Sequence, residues 1–201
     1  MIMYKILSIL ILIFFLNSCN ESFKKLPEQE TYDEELLKFI IPNKNVEYWQ
    51  VDYVYGFSPK KIFSKGNVEL PKKIPIPEAK TENGFFSGCQ PSYCNYRILY
   101  LKNKIWYYVQ DTEELSKFIG EIDNEKEAFL IARINDYDID TWSSKGNGFV
   151  KTDYGYKLKV NKYVNCPESK EAFIVSVQKN GILSKVKDLG YYYKSKNCIV
   201  Y

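Results

Sequence analysis

The chain has 201 residues, with 28 Lys and Arg against 25 Asp and Glu, and no histidine. So even a charge balance offers none of the basic face that a nucleic acid needs, and no nucleic-acid partner is expected. The lack of histidine excludes Ser-His and Cys-His nucleophile pairs, histidine metal ligands and histidine general bases; any catalysis would fall to carboxylates, Lys, Tyr or Ser-Lys pairs.

The chain opens with one early positive charge, Lys5, followed by an apolar run from Ile6 to Leu16 broken only by Ser8. That run is much shorter than the roughly 20 residues of helix needed to span a bilayer. It has the length of a secretory signal core instead. Leu16-Asn17-Ser18-Cys19 then resembles the lipobox of bacterial lipoproteins: an aliphatic residue, two small or tolerated residues and a cysteine. The resemblance implies removal of residues 1–18 and a diacylglycerol on the Cys19 thiol. It also implies acylation of the new amino terminus by a chain such as palmitate, so that the protein is anchored to a membrane without spanning it. Asn20 stands where an aspartate would hold some lipoproteins at the inner membrane, which makes the outer membrane the expected location. No second long apolar stretch follows.

Residues 19–44 read as a polar tether ending in a short helix from Asp33, with acidic residues in its first turn and Pro42 as its stop. Residues 45–201 read as a single domain, and the 45% hydrophobic content of the whole chain is ample for its core. Val46–Tyr55 is dense in β-formers and predicts a strand. Residues 71–88 carry Pro71, Pro75 and Pro77 and then Asn83-Gly84 and Ser87-Gly88, an irregular loop. Tyr96–Leu101 and Ile105–Gln110 predict a hairpin around Lys102-Asn103-Lys104. Asp111 with Glu114 three residues on is a helix start of the capping-box type. Leu115, Phe118, Ile119 and Ile122 make one apolar stripe of that helix, which Gly120 interrupts. A second helix is predicted from about Asn124 to Ile134, capped by Asp123 or Asn124 and largely buried. Alternation through Tyr156, Leu158 and Val160, and again through Phe173, Val175 and Val177, predicts half-buried strands. Asn180-Gly181 is a two-residue hairpin turn. Ile182–Val186 and Tyr191–Tyr201 complete four strands. The order predicts an α+β fold, an antiparallel sheet with two or three short helices packed on one face. From Phe85 to Tyr201 the chain also resembles small uncharacterised lipoproteins of Gram-negative bacteria, on Ser87-Gly88-Cys89, Cys94, Leu189-Gly190-Tyr191-Tyr192-Tyr193 and Cys198-Ile199-Val200-Tyr201. No activity follows from that resemblance.

With Cys19 acylated, Cys89, Cys94, Cys166 and Cys198 remain, an even number that in an oxidising compartment implies two disulfides. Three connectivities are open, and Cys89–Cys94 with Cys166–Cys198 is favoured. A four-thiolate zinc site is disfavoured, because Cys166 and Cys198 are too far apart in sequence to form a second clip. Asp136, Asp138 and Asp140 have the spacing that opens a calcium loop. Thr141 and Asn147 stand where that loop needs glycine and glutamate, so a solvated loop is the expectation and no metal or other cofactor is expected. Glu113-Glu114 and Glu125 with Glu127 are helix-start residues and not acid/base pairs. Trp49, Tyr53, Tyr55, Tyr191, Tyr192 and Tyr193 are candidate binding aromatics. Cross-strand packing accounts for most such rings, and within 191–193 the middle ring must face opposite to its neighbours. These features together predict an envelope domain that binds a protein or an envelope component without catalysis, an immunity or inhibitor lipoprotein being one version. The alternative is a carboxylate-dependent hydrolase or a carbohydrate-binding module.

Overall fold

The computed structural model describes residues 22–43, 45–66, 75–80, 82–89 and 93–198. The lipobox with Cys19 and the apolar run before it lie outside the described residues, as do Ile199, Val200 and Tyr201. Two antiparallel four-stranded sheets dominate, so the protein is mostly β and is α+β only in a loose sense. The first sheet contains β1 (Tyr48–Tyr55), β2 (Ser58–Lys65), β3 (Cys94–Lys102) and β4 (Ile105–Val109), in the order β2-β1-β3-β4. The second contains β5 (Gly148–Thr152), β6 (Gly155–Asn165), β7 (Glu168–Gln178) and β8 (Leu183–Lys194), in sequence order. Three short α-helices are present among the described residues: α1 (Asp33–Leu37), α2 (Thr112–Ile119) and α3 (Glu125–Ile134).

The expectation of a single sheet is therefore corrected, and α3 supplies the physical reason. All of Glu127 to Ala132 is buried, leaving that stretch no wet face. A helix buried all round needs cover on more than one side, which one sheet cannot give. In the core, Leu158, Val160, Phe173 and Val175 of the second sheet join Trp49, Val51 and Ile98 of the first through α2 and α3. Phe118 of α2 packs edge-on to Trp49 with ring centroids 5.7 Å apart. Each large side chain buried in this way contributes about 1.5–3 kcal/mol.

Both helix starts follow the sequence. The Asp111 carboxylate accepts from the Glu114 N–H at 2.7 Å, and the Glu114 carboxylate accepts from the Gln110 N–H at 2.8 Å. At α3 the capping box is complete: the Asn124 side chain accepts from Glu127 N–H, and the Glu127 carboxylate accepts from Asn124 N–H. The β3–β4 turn places Asn103 and Lys104 at φ 51° and 61°, the mirror-image turn that suits the twist of a hairpin.

The segment expected to be a tether is instead part of the domain. Leu26, Leu36, Leu37 and Ile40 are at most 1% exposed, and Leu26 exchanges backbone hydrogen bonds with the Asn147 side chain at 3.1 and 3.2 Å. Lys24 adds a bridge beside β5, pairing with Phe149. These few apolar residues dock the segment although its average composition is polar. The structure also forms both favoured disulfides, Cys89–Cys94 and Cys166–Cys198.

Candidate functional site

The chain leaving α3 turns at Asp136, whose φ is 61°, and then runs beside β6, where Asp138 pairs with Asn161. That pairing carries Asp140 over the ends of β7 and β8. Its side chain is 2% exposed. One carboxylate oxygen accepts from the backbone N–H groups of Trp142 and Ser143, at 3.0 and 3.1 Å. The other accepts from the Tyr192 hydroxyl at 2.6 Å and from the Lys170 ammonium at 3.1 Å. Burial opposes the charged form of Asp140, but donation from Tyr192, Trp142 and Lys170 outweighs it and holds the carboxyl below the usual range. Burial, reinforced by the bond to Asp140, pushes the Tyr192 phenol far up, so that it keeps its proton.

The loop 141–147 is fixed by this carboxylate and by one glycine. A Cβ at Gly146 would lie 2.8 Å from the Tyr192 hydroxyl and 3.0 Å from the Asp140 Cβ, closer than a side chain tolerates. The pinned loop presents Trp142, which is 73% exposed. Beside the indole lies an open concavity of about 400 Å³, lined by Trp142, Ser143, Glu168, Lys170, Tyr192 and Tyr193 over the Asp140 carboxylate. The Tyr193 hydroxyl donates to Glu168 at 3.2 Å. A second concavity of about 360 Å³ adjoins it, sharing Trp142, Glu168 and Lys170 and adding Ile139, Asn161 and Tyr163.

The sequence-derived candidates separate in space. Trp49 is 3% exposed, a core ring and not a binding residue. Tyr53 is half-buried against Tyr96, ring centroids 5.1 Å apart, with its hydroxyl 3.5 Å from the Cys89 sulfur. Tyr55 is exposed but belongs to the first sheet. Tyr191 and Tyr193 are exposed while Tyr192 turns to Asp140. Asp136, Asp138 and Asp140 do not converge as a calcium site. Asp138 is bonded by the Arg133 guanidinium, Asp140 is saturated by its four donors, and among the described residues no group of three metal-binding side chains exists. Sequence reasoning missed Trp142, Glu168 and Lys170. Trp142 had a legible signal: it stands among turn-formers, Asp140-Thr141-Trp142-Ser143-Ser144-Lys145-Gly146, outside any hydrophobic period.

The remaining buried and half-buried charges act as structural ties. The fully buried Glu127 carboxylate accepts from the backbone N–H groups of Ile41 and Asp123, both at 2.7 Å, and of Asn124 at 3.3 Å. Arg133 joins α3 to Asp33 of α1, at 2.9 Å, and to Asp138. Asp52 faces Arg97 across β1 and β3, and Gln50 donates to Asp52 at 2.8 Å. A further groove between β4 and α2 is lined by Tyr100 and Tyr107, but these rings stack on each other at 5.2 Å. Among the described residues no helix is long and apolar enough to cross a membrane. No known family, curated protein or solved structure matches this chain.

Proposed function

We propose that this protein is a binding domain of the cell envelope, lipid-anchored through Cys19 at the outer membrane, which captures its partner on the Trp142 face. The observation that carries this reading is the exposure of Trp142 on a loop that Asp140 holds rigid. Trp and Tyr are enriched among binding hot spots, and this exposed ring borders a concavity that two tyrosines also line. Holding the backbone of the Trp142 loop in place beforehand removes part of the ordering cost of association. The buried and half-buried carboxylates act as ties within the fold. Asp140 is held ionised by four donors, while Glu127, Asp138 and Asp52 are each tied to backbone, Arg133 or Arg97.

The test is capture of envelope components from detergent-solubilised membranes by the wild type, Trp142→Ala and Tyr55→Ala. Trp142→Ala should lose what the wild type and Tyr55→Ala retain, with the melting temperature unchanged because the ring is largely solvated. Equal capture by Trp142→Ala would refute the assignment. Mass spectrometry of the membrane-extracted protein should find an acylated peptide that begins at Cys19; an unmodified Met1 terminus would refute the anchor.

A further inference from the structure

We infer that the ligand class of the Trp142 face is a neutral sugar chain, an inference that rests on the binding reading above and gives it a chemistry. The side chains lining the larger concavity are three aromatics, Trp142, Tyr192 and Tyr193, and four hydrogen-bonding groups, Asp140, Ser143, Glu168 and Lys170, with no aliphatic residue. A pocket for a protein anchor is built the other way, as an apolar core inside a polar rim. A pyranose ring has two apolar C–H faces and a rim of hydroxyls, each both donor and acceptor. It therefore asks for a flat aromatic surface with donors and acceptors round its edge.

This surface supplies those parts side by side. The Trp142 indole is the exposed plane. Lys170 is a donor, Glu168 an acceptor, and the Ser143 and Tyr193 hydroxyls act in either sense. Asp140 itself is already saturated and serves as the fixed base beneath them, since it holds the Trp142 loop, Tyr192 and Lys170 together. Asp140 and Glu168 are balanced by Lys170 and by the Lys145 ammonium 5.9 Å from the Tyr192 ring centroid, so the surface carries no net charge to select an ionic sugar. The adjoining concavity, which shares Trp142, Glu168 and Lys170, extends the surface past the indole. An extended chain would use both sides of the ring.

Saturation-transfer NMR on the full chain in detergent, with triacetylchitotriose and maltotriose as probes from about 10 µM to about 10 mM, tests this. At least one sugar should show saturable transfer, strongest at the ring protons of one face. Trp142→Ala should weaken it roughly tenfold or more, and Tyr55→Ala should leave it intact. Transfer that survives Trp142→Ala would overturn the site. Transfer from neither sugar would overturn the ligand class. In that case envelope capture decides the wider reading: if it remains Trp142-dependent, the face binds protein, and if it does not, the face binds nothing.

Discussion

Replacing Asp140 by Asn changes one atom and converts an acceptor for Tyr192 and Lys170 into a donor. The amide can keep the two backbone bonds from Trp142 and Ser143, because its remaining oxygen can take the same place. Its nitrogen then faces an ammonium that has no acceptor to offer, and a phenol that must turn from donating to accepting. Each lost charge-assisted bond is worth about 1.5–3 kcal/mol, reduced at Lys170 by its partial exposure and at Tyr192 by the reversed bond. The net loss should be about 2–3 kcal/mol, or roughly 4–12 °C in melting temperature for a domain of this size. Tyr192→Phe should cost about 1–2 kcal/mol, and the double variant should fall short of the sum by about 1 kcal/mol, since both changes remove the same bond. Melting curves at neutral pH with the disulfides intact measure all three. A melting temperature for Asp140→Asn within about 1 °C of wild type would refute the view of this carboxylate as the tie of the site.

Other parts of the molecule give equally direct expectations. Glu127→Gln puts an NH₂ against at least one of three buried N–H groups and should lower stability in urea by about 2–4 kcal/mol; an unchanged midpoint would mean that the capping contacts are dispensable. Removing Cys166–Cys198, with a sequence separation of 32, should cost about 3–4 kcal/mol on the loop-entropy account. Removing Cys89–Cys94, with a separation of 5, should cost nearer 2 kcal/mol, and paired serine variants compared in urea would reveal a reversed order. Asp140 is held below its ordinary range, so its stabilisation is complete above a pH of about 4 and disappears as pH falls through its folded value. The stability gap between wild type and Asp140→Asn should therefore narrow in acid below that point. Glu127, pushed up by burial, has the opposite sign: its contribution is present in acid and is lost as pH rises through its folded value.

Much of the regular structure was legible because its signals are local. The caps at Asp111 and Asn124, the turn at Asn103-Lys104 and the alternation along β6 and β7 each depend on residues close in sequence, whereas the connection at Asn180-Gly181, from Gln178 to Leu183, is longer than the expected two residues. β2 escaped because Ser58-Pro59-Lys60-Lys61 carries the proline and lysines of a guarded edge strand, which blur any alternation. β8 was read as two strands because Asp188-Leu189-Gly190 looks like a turn. It is a strand interior that bulges, with Gly190 at φ 76° and register shifts along the pairing with β7. β5 was missed as well, so four strands after the helices is the right number with different members. The site was least legible, since Asp140, Lys170 and Tyr192 meet only after two hairpins have closed. The sequence marks Asp140 only as part of a disfavoured calcium loop and Tyr192 as a binding candidate, and nothing short of the fold shows that they hold each other.

The docking of the first described residues has a mechanical consequence. Lys24 is hydrogen-bonded to Phe149 in both directions, at 2.8 and 2.7 Å, and the Phe23 ring lies under the Lys159 ammonium. With the proposed lipid at Cys19, five residue steps separate the anchor from Lys24, a contour of at most about 17 Å. On so short a leash the body would ride against the lipid headgroups and could neither tumble freely nor search the space between membranes. Whatever it captures would have to come to that surface, or already live there.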